Sequence, residues 1–209
     1  MSDKKDLVVL TADKDAHLGI SALLNRQADL GTRPIALECI AHPKHDSGVL
    51  MTAHHFLRPF LRYFEYALVV FDLEGCGQEK LGRERVERRI RGNLAVNGWD
   101  GRCEAVAMEP ELESWVWDDS LRIGTLLMWD RRRLKEWLVK EEFLASASAV
   151  KPARPKEAFR AAMRAAKHQM SSSIFQDLAK SANIAGCSDP AFLKFLGTLQ
   201  RWFPALGQQ

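Results

Sequence analysis

The sequence predicts an α/β protein, with a mostly parallel sheet, flanking helices and an α-helical C-terminal extension. Three observations carry that expectation. Short β-rich apolar runs alternate with helix-length segments, the order that builds right-handed βαβ units. One run, YALVVF at residues 66–71, is apolar at consecutive positions, as a strand covered on both faces should be. Beyond about Glu111 the strand signals stop and helical patterning continues alone.

The elements follow in order. LVVLTA at residues 7–12 reads as a first strand halted by Asp13-Lys14-Asp15. From Ala16 to Leu30, Leu18, Ala22 and Leu23 recur at helical spacing, and Gly31 supplies a stop. A second strand is expected over Ile35–Ile40, a helix over about Val49–Phe64 and a third strand over Tyr66–Phe71. A charged helix then spans about Lys80–Val96, Asn97-Gly98 turns the chain, and Cys103–Met108 forms a fourth strand. Two helices are expected within 111–143, a Ser/Ala/Pro linker at about 145–155, and helices at about 156–183 and 189–203. Residues 1–145 should form the α/β domain with its trailing helices, and residues 146–209 an extension packed on it.

Composition narrows the class. With 209 residues, 46% apolar and 27% charged, the chain can bury a sizeable core. No stretch approaches the roughly 20 apolar residues that span a bilayer, and the charged start MSDKKDLVVL lacks a secretory core. A cytoplasmic protein without membrane contact is expected. Cys39, Cys76, Cys103 and Cys187 are widely spaced and predict reduced thiols. The net charge of +3 conceals an asymmetry, because residues 151–209 carry nine Lys and Arg against three Asp and Glu. Such a tail fits a polyanionic partner or a counterweight to an acidic body.

The acids fall where chemistry is expected. Ligands of an open parallel sheet bind beyond the carboxyl ends of its strands. Three expected strands end there in carboxylates: Asp13 and Asp15, Asp72 and Glu74, and Glu111 and Glu113. Alternate spacing puts Asp72 and Glu74 on one side of an extended chain. Oxygen donors of this type suit Mg²⁺ or Mn²⁺, which would relieve their mutual repulsion and polarise a phosphoryl group. Acids in βα loops also have a plainer use, and Glu111 and Glu113 after Pro110 suit a helix N-terminus.

At these residues the chain resembles the TOPRIM-like proteins of the DUF4276 type, found largely in bacteria and in part within anti-phage defence clusters. The likeness rests on FDLEG, on the Glu-x-Glu-x-Trp segment ending at Trp115, and on the helical tail SSSIFQDLAKSANIAGCSDPAFLKFL. It implies a Mg²⁺-dependent phosphodiester-cleaving or phosphoryl-transfer component acting on nucleic acid beside other defence-system proteins. Asp72, Glu74 and Asp13 would hold the metal, with Asp13 or Asp15 and Glu111 and Glu113 as catalytic acids. The chain departs from the pattern at the first strand, where Thr11-Ala12-Asp13 replaces the usual Glu-Gly. A degenerate, partner-binding subunit is therefore the alternative. A receiver-like acidic pocket is a third reading, weakened because no fifth strand with its lysine follows Met108.

Arg85, Arg88 and Arg89 share a helical face that could contact phosphates, although Glu84 and Glu87 interleave as on an ordinary solvated surface. Lys156, Arg160, Arg164 and Lys167 line another basic face, able to meet phosphates or the acidic body. His42 and His45 follow the second strand as a proton shuttle, metal ligands or a polar loop. The six tryptophans are assigned to packing. No Walker A loop or G-x-G-x-x-G occurs.

Overall fold

The computed structural model of the chain describes residues 4–205 apart from 119, 147 and 150. Four strands, β1 (Lys5–Thr11), β2 (Leu37–Ala41), β3 (Phe64–Asp72) and β4 (Cys103–Met108), pair in parallel in the order β2-β1-β3-β4. The predicted α/β class, parallel sheet and helical C-terminal extension are all present.

Topology decides which helix covers which face. The chain steps from β1 to β2 and then reverses direction to reach β3 and β4. Right-handed crossovers must therefore place the first helix on one face and the next two on the other. Helix α1 (Lys14–Leu24) packs beside Leu7 and Val9, whereas α2 (His45–Leu57) and α3 (Arg83–Leu94) pack on Val8, Leu10, Ala67, Val69 and Phe71. One crossover helix cannot cover four strands. The chain after β4 supplies the missing cover through α4 (Glu113–Asp118), α5 (Ser120–Leu127), α6 (Arg131–Lys140), α7 (Pro155–Ala165), α8 (Ser173–Ser181) and α9 (Pro190–Trp202). Leu68, Val70, Val106 and Met108 share one continuous core with Phe159, Phe175, Phe192 and Phe195 from this extension.

Several boundaries differ from the periodicity for local reasons. Helix α2 starts earlier, at His45, and gives way at Arg58–Arg62 to a 3₁₀ turn containing Pro59, which has no N–H to continue the helix. Gly48 permits that early start, because a Cβ there would lie 2.5 Å from His42 Nδ1. Within 111–143, helix covers Glu113–Asp118 and Ser120–Leu127, on either side of residue 119 outside the described set, and then Arg131–Lys140. The helix expected over 156–183 breaks after Ala165. Lys167 adopts φ 58° and the His168 N–H donates to the Met163 carbonyl at 2.9 Å, a helix-ending turn hidden by continued apolar spacing. The linker expected near 145–155 includes residues 147 and 150, outside the described set.

The outer edge of β4 is closed by side chains. The Ala107 N–H donates to Glu87 Oε1 at 2.9 Å, and Lys194 Nζ donates to the Ala105 carbonyl at 2.7 Å. Lys194 also contacts Glu87 at 3.0 Å and Glu104 at 3.1 Å, tying α9 to α3 around the sheet. An edge that could template pairing with another strand is thereby capped. No helix among the described residues is long and apolar enough to cross a membrane.

Candidate functional site

Strand order reverses between β1 and β3, so the crevice beyond their carboxyl ends is the switch point where open α/β sheets hold ligands. Asp72 is the last residue of β3. It shares the side-chain parity of Leu68 and Val70, which places it on the face covered by the C-terminal helices. Its surroundings fix it closely. The Asp72 N–H donates to Asp46 Oδ1 at 2.8 Å, and Asp72 Oδ1 accepts the Leu112 N–H at 2.9 Å. Two further backbone bonds, Leu73 N–H to the Met108 carbonyl and Glu74 N–H to the Pro110 carbonyl, both 2.9 Å, fasten the β4–α4 loop against the end of β3.

That fastening delivers two more acids. Asp72, Glu111 and Glu113 each offer an oxygen to a group whose members all lie within 4.8 Å, and all three residues are buried. Burial holds the Asp72 carboxyl well above the usual carboxylate range, assisted by the charges of Asp46, Glu113 and Asp13 and opposed by Lys156. Burial likewise pushes Glu113 up to about 7, with Glu111 and Asp15 adding to it against Lys156. Asp46, at the start of α2, is raised by burial and by Asp13. Removing negative charge from water without enough positive charge nearby produces all these shifts.

Among the described residues, the cation in contact is Lys156, the second residue of α7. Its Nζ lies 3.2 Å from Glu111 Oε2 and 3.9 Å from Asp72 Oδ2, and its N–H donates to Glu111 Oε1 at 2.9 Å. Burial opposes its charge, yet Glu113, Asp72 and Glu111 together raise the ammonium above its ordinary value. The Trp117 indole N–H donates to the Pro155 carbonyl at 2.8 Å and so anchors the start of α7 beside α4.

The remaining site candidates are distributed as follows. Glu74 is exposed, because β3 ends at Asp72 and residues 73–75 turn away through Gly75 at φ 87°. Asp13 is the N-cap of α1, its Oδ1 accepting the Ala16 N–H at 2.9 Å, while its charge reaches Asp46 and Asp72. Asp15 stands in the first turn of α1, within electrostatic reach of Glu113. Arg85, Arg88 and Arg89 are exposed on α3. His42 has both ring nitrogens engaged, Nδ1 by the Lys44 N–H and Nε2 by Thr52 Oγ1, each at 3.1 Å. Its structural reading therefore fits better than a proton shuttle.

Two members escaped sequence reasoning. Asp46 is absent from the candidate acids, although its place after the second strand marks it as an edge acid. Lys156 was grouped with a basic helix face, and Pro155 beside it was the cue that it opens a helix. Compared with protein-family models, curated proteins and solved structures, the chain matches none.

Proposed function

We propose that this chain is a Mg²⁺- or Mn²⁺-dependent phosphodiester-cleaving or phosphoryl-transfer component, TOPRIM-like in kind, that acts in the cytoplasm within bacterial anti-phage defence. The observation that carries the metal site is the buried group Asp72, Glu111 and Glu113 within 4.8 Å at the switch point. These donors are oxygen only, and the raised carboxyls of Asp72 and Glu113 mark a set short of positive charge, which a hard divalent cation satisfies. The defence setting and the TOPRIM-like kind rest on the FDLEG and Glu-x-Glu-x-Trp resemblance.

In this reading Asp72 and Glu111 hold the cation, and Asp46 orients Asp72 through its backbone N–H. A bound divalent cation would supply phosphoryl polarisation and charge neutralisation. Glu113, at about 7, is matched to proton transfer near neutrality. Arg85, Arg88 and Arg89 would take the phosphate backbone of a nucleic acid without reading its sequence. Replacing Asp72 by Asn together with Glu111 by Gln should weaken calorimetric Mn²⁺ binding by more than roughly 100-fold, beyond the effect of losing an outer-sphere partner. Unchanged binding by that folded double variant would refute the site.

One observation favours the alternative, a catalytically degenerate subunit that binds a partner protein. Asp13, the acid nearest the missing first motif, is engaged in capping α1. Absence of Mn²⁺ binding by the wild type, with stable co-purification of a neighbouring gene product, would support that reading.

A further inference from the structure

We propose that Lys156 is a built-in occupant of the acidic site, and that a divalent cation enters by displacing its ammonium. The inference rests on the metal reading above and concerns how that site is regulated. Both oxygens of Glu111 are engaged by Lys156, Oε1 by the backbone N–H at 2.9 Å and Oε2 by Nζ at 3.2 Å. Asp72 Oδ1 is engaged by Leu112, leaving Oδ2, which faces the same Nζ at 3.9 Å. A cation bound at roughly 2.1 Å from Glu111 Oε2 would stand no more than about 5 Å from the ammonium. At that separation the repulsion is strong in a partly buried setting.

The placement of Lys156 is itself unusual for its element. It sits in the first turn of α7, where the helix dipole disfavours a cation. Local preference would put an acid here, so the carboxylates hold the lysine in place against the helix. Its route out is short. The side chain is 33% exposed, and its flexible four-carbon stem can turn to solvent while the Lys156 N–H and the Trp117 to Pro155 bond keep α7 docked. The ammonium exchanges and the fold does not. Apo protein thus keeps a compensated cluster, and metal must compete with a tethered ligand of fixed stoichiometry.

Two measurements test this. In titration calorimetry Lys156→Gln should bind Mn²⁺ on the order of tenfold more tightly than wild type, since a competing charge is removed. Lys156→Arg, which keeps the charge, should not. In the wild-type protein, saturating Mn²⁺ should raise the acetylation rate of Lys156 by an N-hydroxysuccinimidyl ester several-fold, read by peptide mass spectrometry, and this arm needs no variant to fold. Equal or weaker Mn²⁺ binding by folded Lys156→Gln, or unchanged Lys156 reactivity at Mn²⁺ saturation, overturns the displacement. If the Asp72→Asn, Glu111→Gln control loses binding in the same series, the metal site stands while the displacement falls. If wild type and Lys156→Gln both fail to bind, both fall.

Discussion

Two buried acidic clusters in this molecule each receive a lysine from the C-terminal extension, and they are balanced in opposite ways. At the β4 edge, two acids meet four cations: Glu87 and Glu104 contact Lys194 at 3.0 and 3.1 Å, Arg83 and Arg91 at 3.6 Å, and Arg201 at 4.0 Å. Backbone N–H groups of Ala105 and Ala107 complete them. At the carboxyl edge, three buried acids meet Lys156, and Asp46, Asp13 and Asp15 add negative field. The first cluster is complete as it stands and holds helices to a sheet edge. The second is short of positive charge. Buried charge that is fully paired reads as structure, whereas buried charge left partly uncompensated reads as a site awaiting a ligand.

The sharpest way to break this contrast is to remove the edge lysine. Lys194→Met strips Glu87 and Glu104 of their nearest cation and the Ala105 carbonyl of its donor. Urea unfolding should register a loss of about 4 kcal/mol, the scale of breaking a buried ion pair from one side. Mn²⁺ binding by the folded fraction should be unchanged. A stability loss under 1 kcal/mol would mean that the edge cluster is ordinary surface after all.

A second test uses pH. Glu113 titrates at about 7 in the folded protein against an ordinary 4.5. Below 4.5 it is protonated in both folded and unfolded chains, so it adds no penalty. Between 4.5 and 7 the unfolded chain releases the proton while the folded one retains it, so stability falls as pH rises and levels off above 7. The fall is on the order of 3 kcal/mol at most for such a shift. The stability of wild type minus that of Glu113→Gln should therefore decline across this window, and saturating Mn²⁺ at pH 7.5 should reverse the decline. A flat difference would show that the cluster is better compensated than its geometry implies.

The same contrast explains what the sequence made legible. Strand ends are local events, so alternating apolar runs located all four strands and the acids that follow them. Asp72 and the Glu111–Glu113 pair could be proposed from that alone. Glu74 was paired with Asp72 by assuming that β3 stays extended, and a turn at 73–75 separates them. Lys156 lies 84 positions after Asp72, and no local pattern shows that α7 begins against the end of β3. That contact is set by tertiary packing, through Trp117 on Pro155 and the core shared with Phe159. Lys194 was hidden for the same reason. Sequence periodicity identified the apolar spacing of the first helix and the basic face of Lys156, Arg160, Arg164 and Lys167, but not which acid those basic residues would meet.

Asp13 belongs to both kinds of carboxylate, and separating its roles is the finest test of the comparison. Its Oδ1 caps α1 through the Ala16 N–H, while its charge raises Asp46 and Asp72 across the crevice. Asparagine caps a helix about as well as aspartate but carries no charge. Asp13→Asn should therefore keep the melting temperature, or raise it slightly by relieving repulsion, while weakening Mn²⁺ binding. Asp13→Ala should weaken Mn²⁺ similarly and also lose about 1 kcal/mol of stability with the cap. If both variants bind Mn²⁺ as wild type does and differ only in stability, Asp13 is a cap and nothing more. The cation would then be held by the β3 and β4 ends alone, which places the asymmetry between the two clusters in Asp72, Glu111 and Glu113 and not in the wider field of the crevice.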